Sequence, residues 1–238
     1  MKRLLKVYLL NIFKQKSFYI CLAIDLFLSV IIGIIASKFS DQPGPTVGAN
    51  LPGIFTVTII PAIYITIFAT SDFTDGATKN FIARGYTRRQ LLYGKYLASI
   101  IAIFTFFIVE GIVHTLGYMG NGFGFDETFV INMVGAIISS FAAIGFYVIV
   151  SNTLEKLSMA MTFNIILLSF FPMVSSILNS LLKIDFNIQG YWVTSLFSII
   201  PETNAGIIDL LKVLGLTVGY LIILFELSNF IIKRKEVK

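Results

Sequence analysis

Apolar runs of roughly 20 residues, the length that crosses a bilayer's hydrocarbon core, recur six times along this chain. They cover 17–36, 51–70, 96–117, 129–150, 158–178 and 206–232. In lipid every backbone polar group must find its partner inside the chain, so each run is expected to be a helix. These runs use most of the 238 residues and leave no room for a separate soluble domain. Composition agrees. Hydrophobic residues make up 56% and charged residues 13%, against roughly 25% charged in soluble domains. The expectation is an all-α membrane protein with six transmembrane helices in one domain spanning 1–238.

The N-terminus has basic residues ahead of an apolar run, as a secretory signal does. The run is long and no small-residue cleavage site follows, so 17–36 reads as a retained first span. Residues 1–16 are too basic to cross. Leu4, Leu5, Tyr8, Leu9 and Ile12 can share one helical face, with Lys2, Lys6 and Lys14 elsewhere. This predicts a helix lying in the membrane interface. Pro61 and Pro172 fall inside spans two and five and are expected to kink them.

Basic residues set the orientation, because cytoplasmic loops carry an excess of Lys and Arg. One side would hold Lys2, Arg3, Lys6, Lys14 and Lys16, then Lys79, Arg84, Arg88, Arg89 and Lys95, then Lys156, and finally Lys233, Arg234, Lys235 and Lys238. Only Lys38, Lys183 and Lys212 fall on the other. Both termini are therefore expected in the cytoplasm, in a multi-pass protein of the cell membrane. The net charge of +5 is a topology signal and does not point to nucleic acid.

Between spans five and six, residues 179–205 mix apolar residues with Lys183, Asp185, Gly190, Trp192 and Pro201. The stretch is too long for a plain loop. Short helices that re-enter the membrane are expected there, covered by protein, with Trp192 as an interfacial anchor.

Chemistry-bearing residues are few. One cysteine, Cys21, and one histidine, His114, exclude an internal disulfide and a zinc cluster. The single histidine also excludes the two-histidine metalloprotease helix. Asp25, Glu110 and Glu226 lie within spans, with His114 one turn beyond Glu110. Ionisable groups in a bilayer are costly and face protein or water. They are candidates to line a transport path, against the alternative of hydrogen-bonding between helices.

The most charged stretch is 72–95, DFTDGATKNFIARGYTRRQLLYGK, between spans two and three. Asp72 is expected to cap a short helix, Gly85 to end it, and Thr87 to cap the next. That second helix would run through Arg88 and Arg89 directly into span three. Gly94-Lys95 is followed by Tyr96 and lacks the upstream glycine and the following Ser or Thr of a phosphate-cradling loop. The chain is therefore not expected to be an ATPase or another enzyme itself.

Asp72, Gly76, Lys79, Phe81, Ile82, Thr87, Arg88, Leu91, Leu92, Gly94 and Lys95 fall at the spacing of a motif in the permease subunits of ABC-2 type ATP-binding-cassette exporters. The segment resembles that motif, departing from it at Ala77, where Thr is common, and at Gly85, where Pro is common. The outline of interfacial helix, six spans and short helices before the last span is also similar. The small permeases of peptide-antibiotic export and lantibiotic immunity look nearest. The resemblance implies that 72–95 is a coupling region docking on an ATPase, through Asp72, Lys79, Phe81, Ile82, Arg84, Thr87, Arg88 and Arg89. It implies no cofactor in this chain, ATP and Mg in two copies of a partner ATPase, and a second permease copy or a related permease beside it. An ion-coupled secondary transporter and a non-transporting sensor or immunity subunit are the competing readings.

Overall fold

The computed structural model describes residues 2–39, 59–120, 127–182, 189–200 and 206–236. Its regular elements are all helical among the described residues. They are α1 (Lys2–Lys14), α2 (Lys16–Phe39), α3 (Ile59–Thr74), α4 (Ala77–Ala83), α5 (Arg88–Gly120), α6 (Glu127–Leu154), α7 (Leu157–Leu182) and α8 (Ile207–Glu236). Two 3-10 turns, Gln189–Tyr191 and Leu196–Ile199, stand between α7 and α8. Among the described residues, four stretches are long and apolar enough to cross a membrane: Arg88–Val109, Val130–Leu154, Leu157–Ser175 and Ile207–Ile232. The helix Ile59–Thr74 is apolar but shorter, and residues 51–58 of the expected second span lie outside the described residues. α7 is helical on both sides of Pro172.

The bundle is built around α3. Ala62, Tyr64, Ile65, Thr66, Phe68, Ala69, Thr70 and Asp72 are all buried, on every side of the helix. Such a helix belongs in a core, and α2, α5, α6 and α7 all pack against it. Its hydroxyls are met locally, with Thr66 donating to the Ala62 carbonyl at 2.7 Å and Thr70 to the Thr66 carbonyl at 2.8 Å. Asn164 of α7 ties three helices together, donating to Thr66 Oγ1 at 2.8 Å and to Ser151 Oγ of α6 at 3.3 Å. Polar side chains commonly join helices this way in apolar surroundings. α6 and α8 form another extensive helix pair.

One apolar stripe of α1 is claimed by protein. Leu4, Tyr8 and Ile12, spaced at i, i+4 and i+8, are buried against the protein. The helix sits so close to α5 that a Cβ added at Gly94 would meet Tyr8 Cε2 at 3.0 Å and Leu4 Cδ2 at 3.1 Å. Any side chain here would have to push these atoms aside, which favours glycine at the close approach. Gly94→Val is expected to lift α1 off α5 and destabilise the protein by about 1–3 kcal/mol, the usual penalty for overpacking. A melting curve of the purified protein, with limited trypsin cleavage at Arg3 and Lys6, will read both effects.

The stretch 189–200 runs beside the middle of α6 and α8. Trp192 packs edge-on to Phe146 with centroids 6.1 Å apart, and Tyr220 of α8 donates to the Tyr191 carbonyl at 2.5 Å. At its other end Ile200 packs with Ile131 of α6 and Val213 of α8. Between them Val193, Thr194, Ser195 and Leu196 are buried. Ile200 also lies against Gly135, about 16 Å along α6 from Phe146, so short 3-10 turns and irregular chain follow that much of a candidate span. Through Phe146, Trp192 meets α6 about two turns from its Leu154 end.

Candidate functional site

α3 ends at Thr74, and the chain turns through Gly76 at φ +68° into α4. α4 is only seven residues long and buries no residue fully. Gly85 at φ +87° then supplies the left-handed conformation that ends a helix. Thr87 and Gln90 form a reciprocal capping box, with Gln90 N–H on Thr87 Oγ1 at 3.2 Å and Thr87 N–H on Gln90 Oε1 at 3.0 Å. α5 then runs without interruption from Arg88 into its apolar stretch. The expected helix, break and continuous helix are all present.

Asp72 does not cap α4. It lies in the last turn of α3, 5% exposed. Lys95, expected among the loop charges, is 1% exposed on α5. The two form a buried ion pair at 3.4 Å. The three N–H groups of a lysine ammonium need three acceptors. Lys95 Nζ finds Asp72 Oδ2, the Ala69 carbonyl at 2.7 Å and Asn152 Oδ1 at 3.3 Å. The ammonium also sits 4.4 Å from the Phe73 ring centroid. Tyr8 of α1 donates its hydroxyl to Asp72 Oδ2 at 2.8 Å. Burial first, and the Asp72 carboxylate second, hold the Tyr8 phenol well above its ordinary pKa, so it stays a donor. One carboxylate thus joins α1, α3 and α5, and Asn152 adds α6.

Phe81 is not free either. It packs on Tyr8 at 5.8 Å and on Tyr86 at 6.1 Å between centroids, which fastens α4 to α1. Outward from α4 remain Lys79, Ile82 and Arg84, with Ile82 40% exposed. Arg88 pairs with Glu155 in the α6–α7 turn at 3.9 Å. Both side chains are over a third exposed, so this pair adds little stability. Arg89 donates to the Tyr93 hydroxyl at 3.1 Å and lies 5.5 Å from that ring's centroid. Beneath Arg88 a small cleft is lined by Lys95, Asn152, Glu155, Ser228 and Ile232. The cleft brings the end of α8 to the same end of the bundle as 75–87, and Tyr8 brings α1 there.

The intramembrane acids fare differently. Asp25 is buried on α2, one turn from Cys21. Glu226 is exposed on α8, so the structure sets it on the outside of the bundle, away from the interior that holds Asp25. Glu110 and His114 fall on α5, and their side chains lie outside the described residues. Among the described residues no three His, Cys, Asp or Glu side chains converge as metal ligands.

Tyr8, Asn152 and Glu155 were not legible as members of this site. The signals were a tyrosine in an otherwise aliphatic stripe and an asparagine at the end of an apolar run. Comparison with protein-family models gives no match, and neither does comparison with curated proteins.

Proposed function

We propose that this chain is the permease subunit of an ATP-binding-cassette exporter, with α2, α3, α5, α6, α7 and α8 as its six spans and both termini in the cytoplasm. The observation that carries the proposal is the mounting of α4. A short surface helix presenting Lys79, Ile82 and Arg84 stands between two helices whose bases are locked by Asp72, Lys95 and Tyr8. A push on α4 passes into α3, α5 and α1 together, because packed elements move as rigid bodies. That is what a coupling helix has to do. ATP and Mg belong to the partner ATPase, two copies of which would serve a pair of permeases. The packed α3 core supports a substrate path beside the bundle, between two permeases, rather than through one. Peptides or amphiphilic antimicrobial compounds are the proposed cargo class.

The test is co-expression with ATP-binding-cassette ATPase subunits from the same genome. The expected result is a complex that co-purifies through detergent and whose ATP hydrolysis rises when an amphiphilic peptide is added. An ATPase that neither binds nor responds removes the exporter reading.

A further inference from the structure

The inward face of α1 is fully taken up by Leu4, Tyr8 and Ile12, and beside it Leu5 and Leu9, half-buried against the core, lead onto an exposed face. It carries a shallow groove lined by Lys2, Leu5, Lys6, Leu9, Leu10 and Phe13. Leu10 is 48% and Phe13 43% exposed. Lys2 and Lys6 are one helical turn apart and both exposed. Neither joins an ion pair among the described residues. No acidic residue occurs before Asp25, so nothing nearby in sequence neutralises them. The groove therefore offers cations at one end and apolar side chains along its length, in a helix fastened to the coupling site through Tyr8.

We infer that this groove seats an acidic phospholipid of the cytoplasmic leaflet. The headgroup phosphate lies between Lys2 and Lys6, and an acyl chain runs over Leu9, Leu10 and Phe13. Charge complementarity selects the occupant. Basic side chains beside an apolar strip match an anionic headgroup followed by hydrocarbon, whereas a neutral lipid leaves both ammoniums without a net counter-charge. The inference rests on the membrane placement of α1 proposed above and not on the identity of the driving ATPase.

Native mass spectrometry of the full-length chain in detergent tests it, with phosphatidylglycerol and phosphatidylcholine of identical acyl chains as probes and no ATPase present. The wild type is expected to prefer phosphatidylglycerol by about thirtyfold, the sum of two lysine contributions. K2Q/K6Q should bring the two lipids close to parity, while K212Q, at a distant site, should keep the preference. Leu10→Asp should weaken both lipids. Equal binding by the wild type overturns the inference. So does a preference that survives K2Q/K6Q, which would assign the acidic lipid to Arg88 and Arg89 or leave the groove to a protein. Lipid binding untouched by Leu10→Asp, or displacement by an equal concentration of inorganic phosphate, also overturns it. A chain that stays in solution without detergent would instead refute the membrane placement itself.

Discussion

Lys95→Met is expected to cost about 3–5 kcal/mol of stability, the usual penalty for stranding one member of a buried ion pair. Lys95 and Asp72 are 1% and 5% exposed. Removing the ammonium leaves a carboxylate with one Tyr8 hydroxyl for company. The Ala69 carbonyl and Asn152 Oδ1 also lose their donor. Asp72→Asn strands the charge on the other side and should be damaging for the same reason. The double variant Asp72→Asn/Lys95→Met removes both charges and keeps an acceptor for Tyr8, so most of the loss should return. Melting temperature and monodisperse yield in detergent are the measurements. A double variant no better than Lys95→Met would show that the ion pair is not what holds these helix bases together.

If α4 docks on an ATPase as proposed, Arg84→Glu combined with Ile82→Asp should leave the protein folded and cut export on the order of thirtyfold, as expected when a buried interface anchor worth about 2 kcal/mol is lost. Both side chains are exposed in the isolated chain, so their replacement removes little internal packing. Phe81 is the wrong residue for this test, because it packs on Tyr8 and Tyr86 and its loss would loosen α1. A charge at position 82 and a reversed charge at 84 act on whatever docks there. The comparison is between melting temperature, expected unchanged, and both ATPase co-purification and export, expected to fall together. Export at the wild-type rate would reduce α4 to a connector.

Local signals served well where local forces decide the structure. The left-handed Gly85, the Thr87–Gln90 box and the unbroken helix from Arg88 all follow from residues within one turn of each other. Apolar runs marked the helices, because length and hydropathy decide them. Asp72 was misread because its position matched a helix cap, while its actual partners stand 64 residues before it, at Tyr8, and on α5 at Lys95. Nothing in a neighbouring sequence window reports such pairings. Lys95 looked like another loop cation for the same reason. The stripe Leu4, Tyr8 and Ile12 was visible, but its target was not, since an apolar face can serve lipid or protein equally well. Only Gly94, small enough for close approach, hinted that protein would claim it.

The Asp72–Lys95 pair also bears on how the chain is made. α3 reaches the insertion machinery carrying a carboxylate in its last turn, and the ammonium that neutralises it emerges only after the 13 residues separating α3 from α5 and part of α5 itself. Alone, α3 would leave that acid without its partner, at an energetic cost in the bilayer. It therefore gains from waiting for α5 and entering lipid as a preassembled hairpin with α4 at its tip. Tyr8, already synthesised, can hold the carboxylate meanwhile. On this account, the residues that fasten the bases of α1, α3 and α5 in the mature protein also dictate the order in which nascent helices leave the translocon.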